Sequence, residues 1–155
     1  MFTLTTELAI KALIYLGLHG NGKPVSPKLI AEKIDASSTY MAKITRVLVK
    51  ADILKAHRGA LGGVTLNQLT SKISLLDVLE ACQGRVIGDY CHEVDDSVEY
   101  CAFHGAMKEL HLSTVEVLSK WSLENLIGNP CPEVTQNDTV MCKMSELRKA
   151  QDASA

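Results

Sequence analysis

The chain has 155 residues, of which 46% are hydrophobic and 22% charged, a composition typical of one globular domain with its own core. No apolar run reaches the roughly 20 residues that a membrane span needs, and the N-terminal segment lacks the basic start of a signal peptide. We therefore expect a cytoplasmic protein with no membrane partner. Its five cysteines indicate ligands, redox thiols or core residues rather than structural disulfides.

The first predicted helix covers residues 5–19 and is apolar on almost every side. Thr5 or Thr6 is expected to cap it, and Glu7 follows in the first turn, where a carboxylate suits the helix dipole. A helix with so few polar positions is normally covered on more than one side. We therefore expect it to be buried both by its own domain and by a partner chain.

Two short helices follow, over about residues 27–35 and 38–51, with Ser26 capping the first and Ser37 or Ser38 the second. The predicted apolar stripe of the second consists of Met41, Ile44, Leu48 and Ala51. A separate polar set recurs at spacings of four, three and four: Thr39, Lys43, Arg46 and Lys50. This division between a packing side and a cationic side suits a recognition helix in a DNA major groove.

Two short strands are predicted directly after these helices, over residues 53–58 and 63–66, with glycines between them. A β-hairpin that follows a recognition helix is the wing of a winged helix-turn-helix domain. At its tip, His57 and Arg58 are candidates for the DNA minor groove, where the strong negative potential favours arginine. A plain surface hairpin is the alternative interpretation.

Charge is distributed unevenly along the chain, whose formal net charge is only −2. Residues 40–72 contain six basic residues and one acidic residue, a net charge of +5, whereas residues 77–138 contain three basic and twelve acidic residues, a net charge of −9. A basic segment inside an acidic molecule attracts a polyanion at one place and repels it elsewhere. We therefore expect double-stranded DNA as the partner; a solvated helix face is the alternative.

The second half of the chain is predicted to contain a long helix that is not part of the winged helix-turn-helix domain. Ser74 and Asp77 form a capping-box pattern that opens a short helix ending near residue 83, and an acidic loop follows. The long helix covers about residues 102–121. Its apolar stripe consists of Met107, Leu110, Thr114, Val117, Leu118 and Trp121. We expect it to form a homodimer, because two-fold DNA readers place two recognition helices about one duplex turn apart.

The predicted fold class is mainly α, a winged helix-turn-helix domain with a long C-terminal dimerisation helix. Its predicted parts are a DNA-binding domain at residues 1–84, a sensor loop at 85–103, a dimerisation region at 104–128 and a flexible tail at 129–155. The boundaries follow Gly84, which ends the fourth predicted helix, and the Gly-Asn-Pro sequence that ends the last one.

Short motifs occur in a specific order over about residues 1–128. They are Leu4-Thr5 with Glu7-Leu8-Ala9, Val25-Ser26, Ile30-Ala31, Ser38-Thr39-Tyr40, Arg58-Gly59 with Gly62-Gly63, and Ile73-Ser74-Leu75 with Asp77-Val78. In this order they resemble the bacterial transcription regulators of the IscR, NsrR and CymR type. The resemblance implies a homodimeric winged-helix regulator of a palindromic operator, in which the long helix of one subunit packs on the partner's DNA-binding domain.

The resemblance, together with the basic face and the hairpin, indicates which residues contact DNA. They are Ser38, Thr39, Tyr40, Lys43 and Arg46 in the recognition helix, and His57 and Arg58 in the wing. The chain departs from the family at Ala60-Leu61, where relatives often have Pro-Gly. This departure is expected to change the shape of the wing tip and its sequence preference.

Many members of this family hold a two-iron two-sulfur cluster (2Fe-2S) by three cysteines in the loop before the long helix, and some add a histidine three residues after the last cysteine. By this resemblance Cys91 is the first cysteine ligand, Cys101 is the last, and His104 is the histidine; the middle cysteine is missing. Glu7 of the partner chain aligns with an acidic residue that serves some relatives as a further ligand. Nitrogen and carboxylate ligands can replace thiolates at iron.

Other interpretations of these residues remain open. Cys91 and Cys101 could form a reversible disulfide in a cluster-free thiol switch, the same set could bind another metal such as zinc, or it could have no sensing role. Cys131 and Cys142 could form a second metal or redox pair, or be plain tail thiols.

Two alternatives belong to other classes of function. One is a protein-interaction adaptor, and the other is a metal-dependent enzyme that uses the same cysteines and histidine as metal ligands. No nucleophile–base pair and no phosphate-binding glycine loop occurs at a usable spacing. We therefore predict a regulator and not an enzyme.

Overall fold

Six α-helices and one β-hairpin form most of the part of the chain that the structure describes, which is residues 2–59, 61–86 and 101–128 of a computed structural model. In chain order they are α1 (Leu4–His19), α2 (Pro27–Lys33), α3 (Ser38–Lys50), β1 (Leu54–His57), β2 (Gly63–Leu66), α4 (Leu75–Gln83), α5 (Ala102–Lys120) and α6 (Leu123–Gly128). The fold is a mainly helical winged helix-turn-helix with C-terminal helices, as predicted. Within the described ranges, no helix has the length and apolarity that crossing a membrane would need.

Helix α1 is the centre of the core. Every residue from Leu8 to Leu16 is buried in the single chain, because the helix is packed against α2, α3, α4, α6 and β2. Its apolar character is therefore accounted for without a partner chain. The predicted cap was wrong: Thr3 caps α1, its hydroxyl accepting a hydrogen bond from the Thr6 backbone N–H at 3.4 Å. The helix begins one residue earlier than expected, which leaves the Thr5 and Thr6 hydroxyls for contacts with other helices.

Helices α2 and α3 form the helix-turn-helix pair, and their serine caps match the sequence prediction. Ser26 accepts from the backbone of Leu29 at 3.2 Å, and Ser37, rather than Ser38, accepts from the backbone of Tyr40 at 3.4 Å. The predicted stripe of α3 is buried at Met41, Ile44 and Leu48. Ala51 is exposed, because it lies at the C-cap where the chain leaves the helix.

The hairpin after α3, which we call the wing (residues 54–66), is fixed to the body of the domain. Its antiparallel register runs from the pair Leu54 and Leu66 to the pair His57 and Gly63. Val25, ahead of α2, donates its N–H to the Val64 carbonyl at 3.0 Å and accepts from the Val64 N–H at 2.9 Å. These two hydrogen bonds tie the wing to the chain that leads into the helix-turn-helix.

Helices α4, α5 and α6 complete the described part. The capping box of α4 is present as predicted: Ser74 accepts from the backbone of Asp77, and the Asp77 carboxylate accepts from the backbone of Ser74 at 2.8 Å. The end of α5 returns to the start of α4, because the Leu75 N–H donates to the Trp121 carbonyl at 2.8 Å. Most of the predicted sensor loop (residues 87–100) and the predicted tail (129–155) lie outside the described residues.

Candidate nucleic-acid interface and sensor site

The polar face of α3 is exposed, whereas its apolar face is buried against the core. Among the predicted DNA-contacting residues of this helix, Ser38, Thr39, Lys43 and Arg46 are exposed. Lys50 extends the same face to the end of the helix and is exposed as well. An amphipathic helix with its cations on the outer side can enter a major groove without disturbing its own packing.

The wing brings a second set of residues beside this helix. A groove of about 400 Å³ lies between α3 and the wing, and Arg46 from the helix and His57 from the wing both line it. The His57 ring is held in place by a 2.9 Å hydrogen bond between its Nε2 and the Thr65 hydroxyl on the opposite strand. Arg58, the next residue, is exposed at the tip. The structure therefore brings Arg46 of the helix and His57 of the wing to the same groove.

Tyr40 is placed differently from the other candidates of α3. It is half-buried, and its hydroxyl lies 2.5 Å from the hydroxyl of Thr5 on α1. The tyrosine therefore joins the start of the recognition helix to the start of the central helix. Sequence reasoning missed this contact because the two residues are 35 positions apart, and no local pattern pairs them.

The first turn of α1 also contacts the end of α4. The Gln83 side-chain amide donates to the Thr6 hydroxyl at 2.9 Å. Beside it, burial raises the pKa of the Cys82 thiol, and a hydrogen bond with Thr6 opposes that shift. Thr5 thus contacts α3, and the adjacent Thr6 contacts α4. The predicted sensor loop follows α4 directly in the sequence.

Two predicted cluster ligands lie together at the start of α5. Cys101 is the N-cap of this helix, and its sulfur accepts a hydrogen bond from the His104 backbone N–H at 3.4 Å. Cys101 is exposed, whereas His104 is buried. The three-residue spacing that singled out His104 therefore corresponds to one turn of helix, and the contact that joins the two residues is between the Cys101 sulfur and the His104 backbone.

The remaining predicted ligands are not brought to this pair within the described chain. Cys91 lies outside the described residues, as do Cys131 and Cys142. Glu7 is half-buried on α1, where its carboxylate is 3.5 Å from the Lys11 ammonium one turn later. In residues 2–59, 61–86 and 101–128 there is no group of three or more His, Cys, Asp or Glu side chains suited to a metal ion.

Comparisons with known proteins agree with this architecture. The family model for Rrf2, iron-dependent transcriptional regulator, matches residues 2–129. The regulator NsrR of Halalkalibacterium halodurans is 24% identical over 131 residues, which cover 82% of this chain and 90% of that protein.

Two solved structures share the fold. The cysteine regulator CymR of B. subtilis has a TM-score of 0.67 at 24% identity, covering 83% of this chain and 96% of that one. T. potens IscR has a TM-score of 0.66 at 22% identity, covering 94% and 96%. Because the family model spans nearly all of the described residues, the chain belongs to the Rrf2 family of DNA-binding transcription regulators, which are not enzymes.

Proposed function

We propose that this protein is a homodimeric regulator that binds a palindromic operator and whose affinity is controlled by an iron–sulfur cluster held near Cys91, Cys101 and His104. The observation that carries the DNA-binding part is the groove that Arg46 and His57 line together. A positive helix beside a positive hairpin offers contacts to the major groove and to the neighbouring minor groove at once.

In this proposal α3 enters the major groove and the tip of the wing reaches the adjacent minor groove. Lys43 and Arg46 contact phosphates and base edges, with Ser38 and Thr39 at the start of the helix. Arg58 enters the adjacent minor groove. The acidic remainder of the chain, by repelling phosphates, favours the orientation in which only this surface meets DNA.

The outer side of α5 supports homodimerisation. Phe103, Leu110 and Val117 recur at seven-residue intervals on α5, and all three are exposed, Val117 to 56%. Trp121, one turn beyond, is 47% exposed. A neighbouring line of the same helix is buried inward through His104, Thr114 and Leu118. A second copy of α5 is the proposed occupant, since an apolar seam with this spacing packs well against an equivalent helix.

The chemistry of the residues at the start of α5 suits an iron–sulfur cluster. Thiolate sulfur and imidazole nitrogen are both established ligands of such clusters, and Cys101 and His104 are one helical turn apart. Cys91 would supply another thiolate, and Glu7 of the partner subunit a carboxylate. When bound, such a cluster would supply sensitivity to oxidants or to iron supply; ligation that is not all thiolate raises its potential.

The contacts at the start of α1 suggest how the sensor region and the DNA surface are coupled. Gln83, at the end of α4, binds Thr6, and Thr5 binds Tyr40 on α3. A change in the loop that follows α4 is therefore transmitted to the recognition helix by the contact between Gln83 and Thr6 and the contact between Thr5 and Tyr40. A coupling of about 1–3 kcal/mol changes the affinity 5- to 150-fold, which is enough to switch operator occupancy.

The DNA-binding part is tested by gel shifts over a range of salt concentrations. Lys43→Ala and Arg46→Ala should weaken binding and lower the slope of log affinity against log salt by roughly one each. Lys120→Ala, an exposed lysine on α5, is the matched control and should leave the slope unchanged. Arg58→Ala should cost more on the operator than on random DNA. Wild-type protein that shifts no DNA at any salt would refute the proposal and favour the adaptor.

The cluster is tested by anaerobic purification. Coloured protein with bound iron and sulfide is expected, and Cys101→Ser or His104→Ala should lose the colour. Cys82→Ser is the matched control, because Cys82 packs against the core near Thr6 and should leave the spectrum unchanged. Colourless, iron-free protein after reconstitution would contradict the cluster and favour the thiol switch between Cys91 and Cys101.

A further inference from the structure

The tip of the wing carries a large apolar side chain that the protein itself does not cover. Leu61 is 92% exposed, more than any other large hydrophobic residue of the described chain. It belongs to neither strand and makes up part of the turn between them. An exposed leucine alone is unremarkable; its position beside the DNA candidates makes it informative.

The two described glycines on either side of Leu61 constrain the backbone of the tip. The Gly62 N–H donates to the Gly59 carbonyl at 2.9 Å, which closes a tight turn around Leu61. Gly59 has φ of +109°, a conformation that favours glycine. A Cβ on Gly62 would lie 2.6 Å from the His57 carbonyl oxygen. The turn therefore depends on both glycines, and its shape is set by the backbone and not by packing of Leu61.

The same turn faces the proposed DNA surface. Gly59 and Gly62 line the groove together with Arg46 and His57, and Arg58 directly precedes the turn. The wing is also anchored near its turn, at Val64, by the paired hydrogen bonds to Val25. Leu61 is thus presented on a braced hairpin, next to cations that would bring phosphates close to it.

We propose that Leu61 is an apolar reading element of the wing, which enters the DNA minor groove beside Arg58 and packs against sugars and base edges at a deformable step. This rests on the proposed DNA-binding function. Proteins that widen or kink the minor groove commonly insert leucine or another apolar side chain between base steps. Pyrimidine–purine steps deform most readily, so Leu61 makes the protein favour such a step beneath the wing.

The experiment uses the full-length protein and an operator selected from random-sequence DNA with the wild type. Affinity is measured on that operator and on copies in which a TA step beneath the wing is replaced by AA or GC. A second set of duplexes carries 2-aminopurine at this step, whose fluorescence rises when the base is unstacked. Leu61→Ala removes most of the side chain, and Leu61→Met keeps an apolar one.

We expect Leu61→Ala to weaken binding to the TA operator roughly tenfold, the equivalent of no longer burying a leucine side chain. It should bind the AA and GC copies almost as wild type does, and the fluorescence rise should be lost. Leu61→Met should retain most of both effects. Leu69→Ala is the matched control, since Leu69 is 67% exposed beyond the end of β2, away from the tip.

Two results would overturn the inference while leaving DNA binding intact. The first is that Leu61→Ala binds every duplex with the affinity of the wild type. The second is that Leu61→Ala loses the same affinity on all three duplexes and still gives the same 2-aminopurine fluorescence rise as the wild type. Wild-type protein that selects no DNA at all would instead overturn the proposed function. Because Leu61 is exposed, its substitution should leave the melting temperature unchanged. That measurement distinguishes a loss of sequence-dependent DNA binding from unfolding of the protein.

Discussion

The contact between Tyr40 and Thr5 gives two opposed predictions for one side chain. The sequence places Tyr40 among the residues that contact DNA, whereas in the structure its hydroxyl lies 2.5 Å from the Thr5 hydroxyl. If the hydroxyl positions α3 on α1, removing either partner should have the same effect. Tyr40→Phe and Thr5→Val are the appropriate substitutions, because each removes a hydroxyl and keeps nearly the same shape.

The expected magnitude follows from the surroundings of this hydrogen bond. A typical intramolecular hydrogen bond contributes about 0.5–1.5 kcal/mol net, and both residues are half-buried, so water can partly replace the lost partner. We expect each single substitution to lower the free energy of unfolding by about 1 kcal/mol. The double variant should lose little more than either single one, which gives a coupling energy of about 1 kcal/mol.

Urea unfolding measures the free energies. It is carried out at one fixed protein concentration, because the stability of the proposed homodimer depends on concentration. Gel shifts on the operator are measured in parallel. Both single variants should weaken operator binding by a similar factor, and the double variant should not be weaker still. The reasoning is refuted if Tyr40→Phe weakens DNA binding at unchanged stability and Thr5→Val leaves DNA binding alone, since the hydroxyl would then be a direct DNA contact.

Three further predictions concern the core, the wing and the thiols. Leu48→Ala should lower the free energy of unfolding by about 2–5 kcal/mol in urea, since this side chain is fully buried. Gly63→Ala should destabilise the fold by about 1–3 kcal/mol and weaken DNA binding, because the added Cβ would clash with the Val25 carbonyl oxygen; an unchanged melting temperature would contradict this. At pH 8, Cys82 as the sole cysteine should react with a thiol reagent more slowly than Cys101 as the sole cysteine, because burial raises the pKa of Cys82 and reduces its thiolate; equal rates would show that Cys82 is not shielded.

The local elements could be predicted from sequence because their signals are themselves local. Ser26 and Ser37 cap their helices as expected, and the capping box of α4 lies at Ser74 and Asp77. These patterns depend on hydrogen bonds between residues three apart, which the chain order alone specifies. The cap of α1 was the exception, since threonines at positions 3, 5 and 6 offer several caps and the sequence does not distinguish them.

The positions of several candidate residues could be predicted from sequence, whereas their roles stay predictions. The cationic face of α3 follows from helical periodicity, and the adjacency of Cys101 and His104 follows from one helical turn. The proximity of Arg46 and His57 does not follow from local spacing, because it depends on how the wing folds back beside α3. The sequence predicted a wing there, but the register and the Val25 anchor set where its side chains lie.

The sequence by itself determined the helices, the hairpin, the separation of charge and the set of chemically capable side chains, since each of these depends on periodicity or on spacings of a few residues. Only the tertiary structure decided that Tyr40 meets Thr5, that Gln83 meets Thr6, and that Leu61 stands uncovered at the wing tip. The physical reason is that long-range contacts depend on how whole elements pack, and packing depends on the shapes of many side chains together. No local spacing in the chain encodes such a contact.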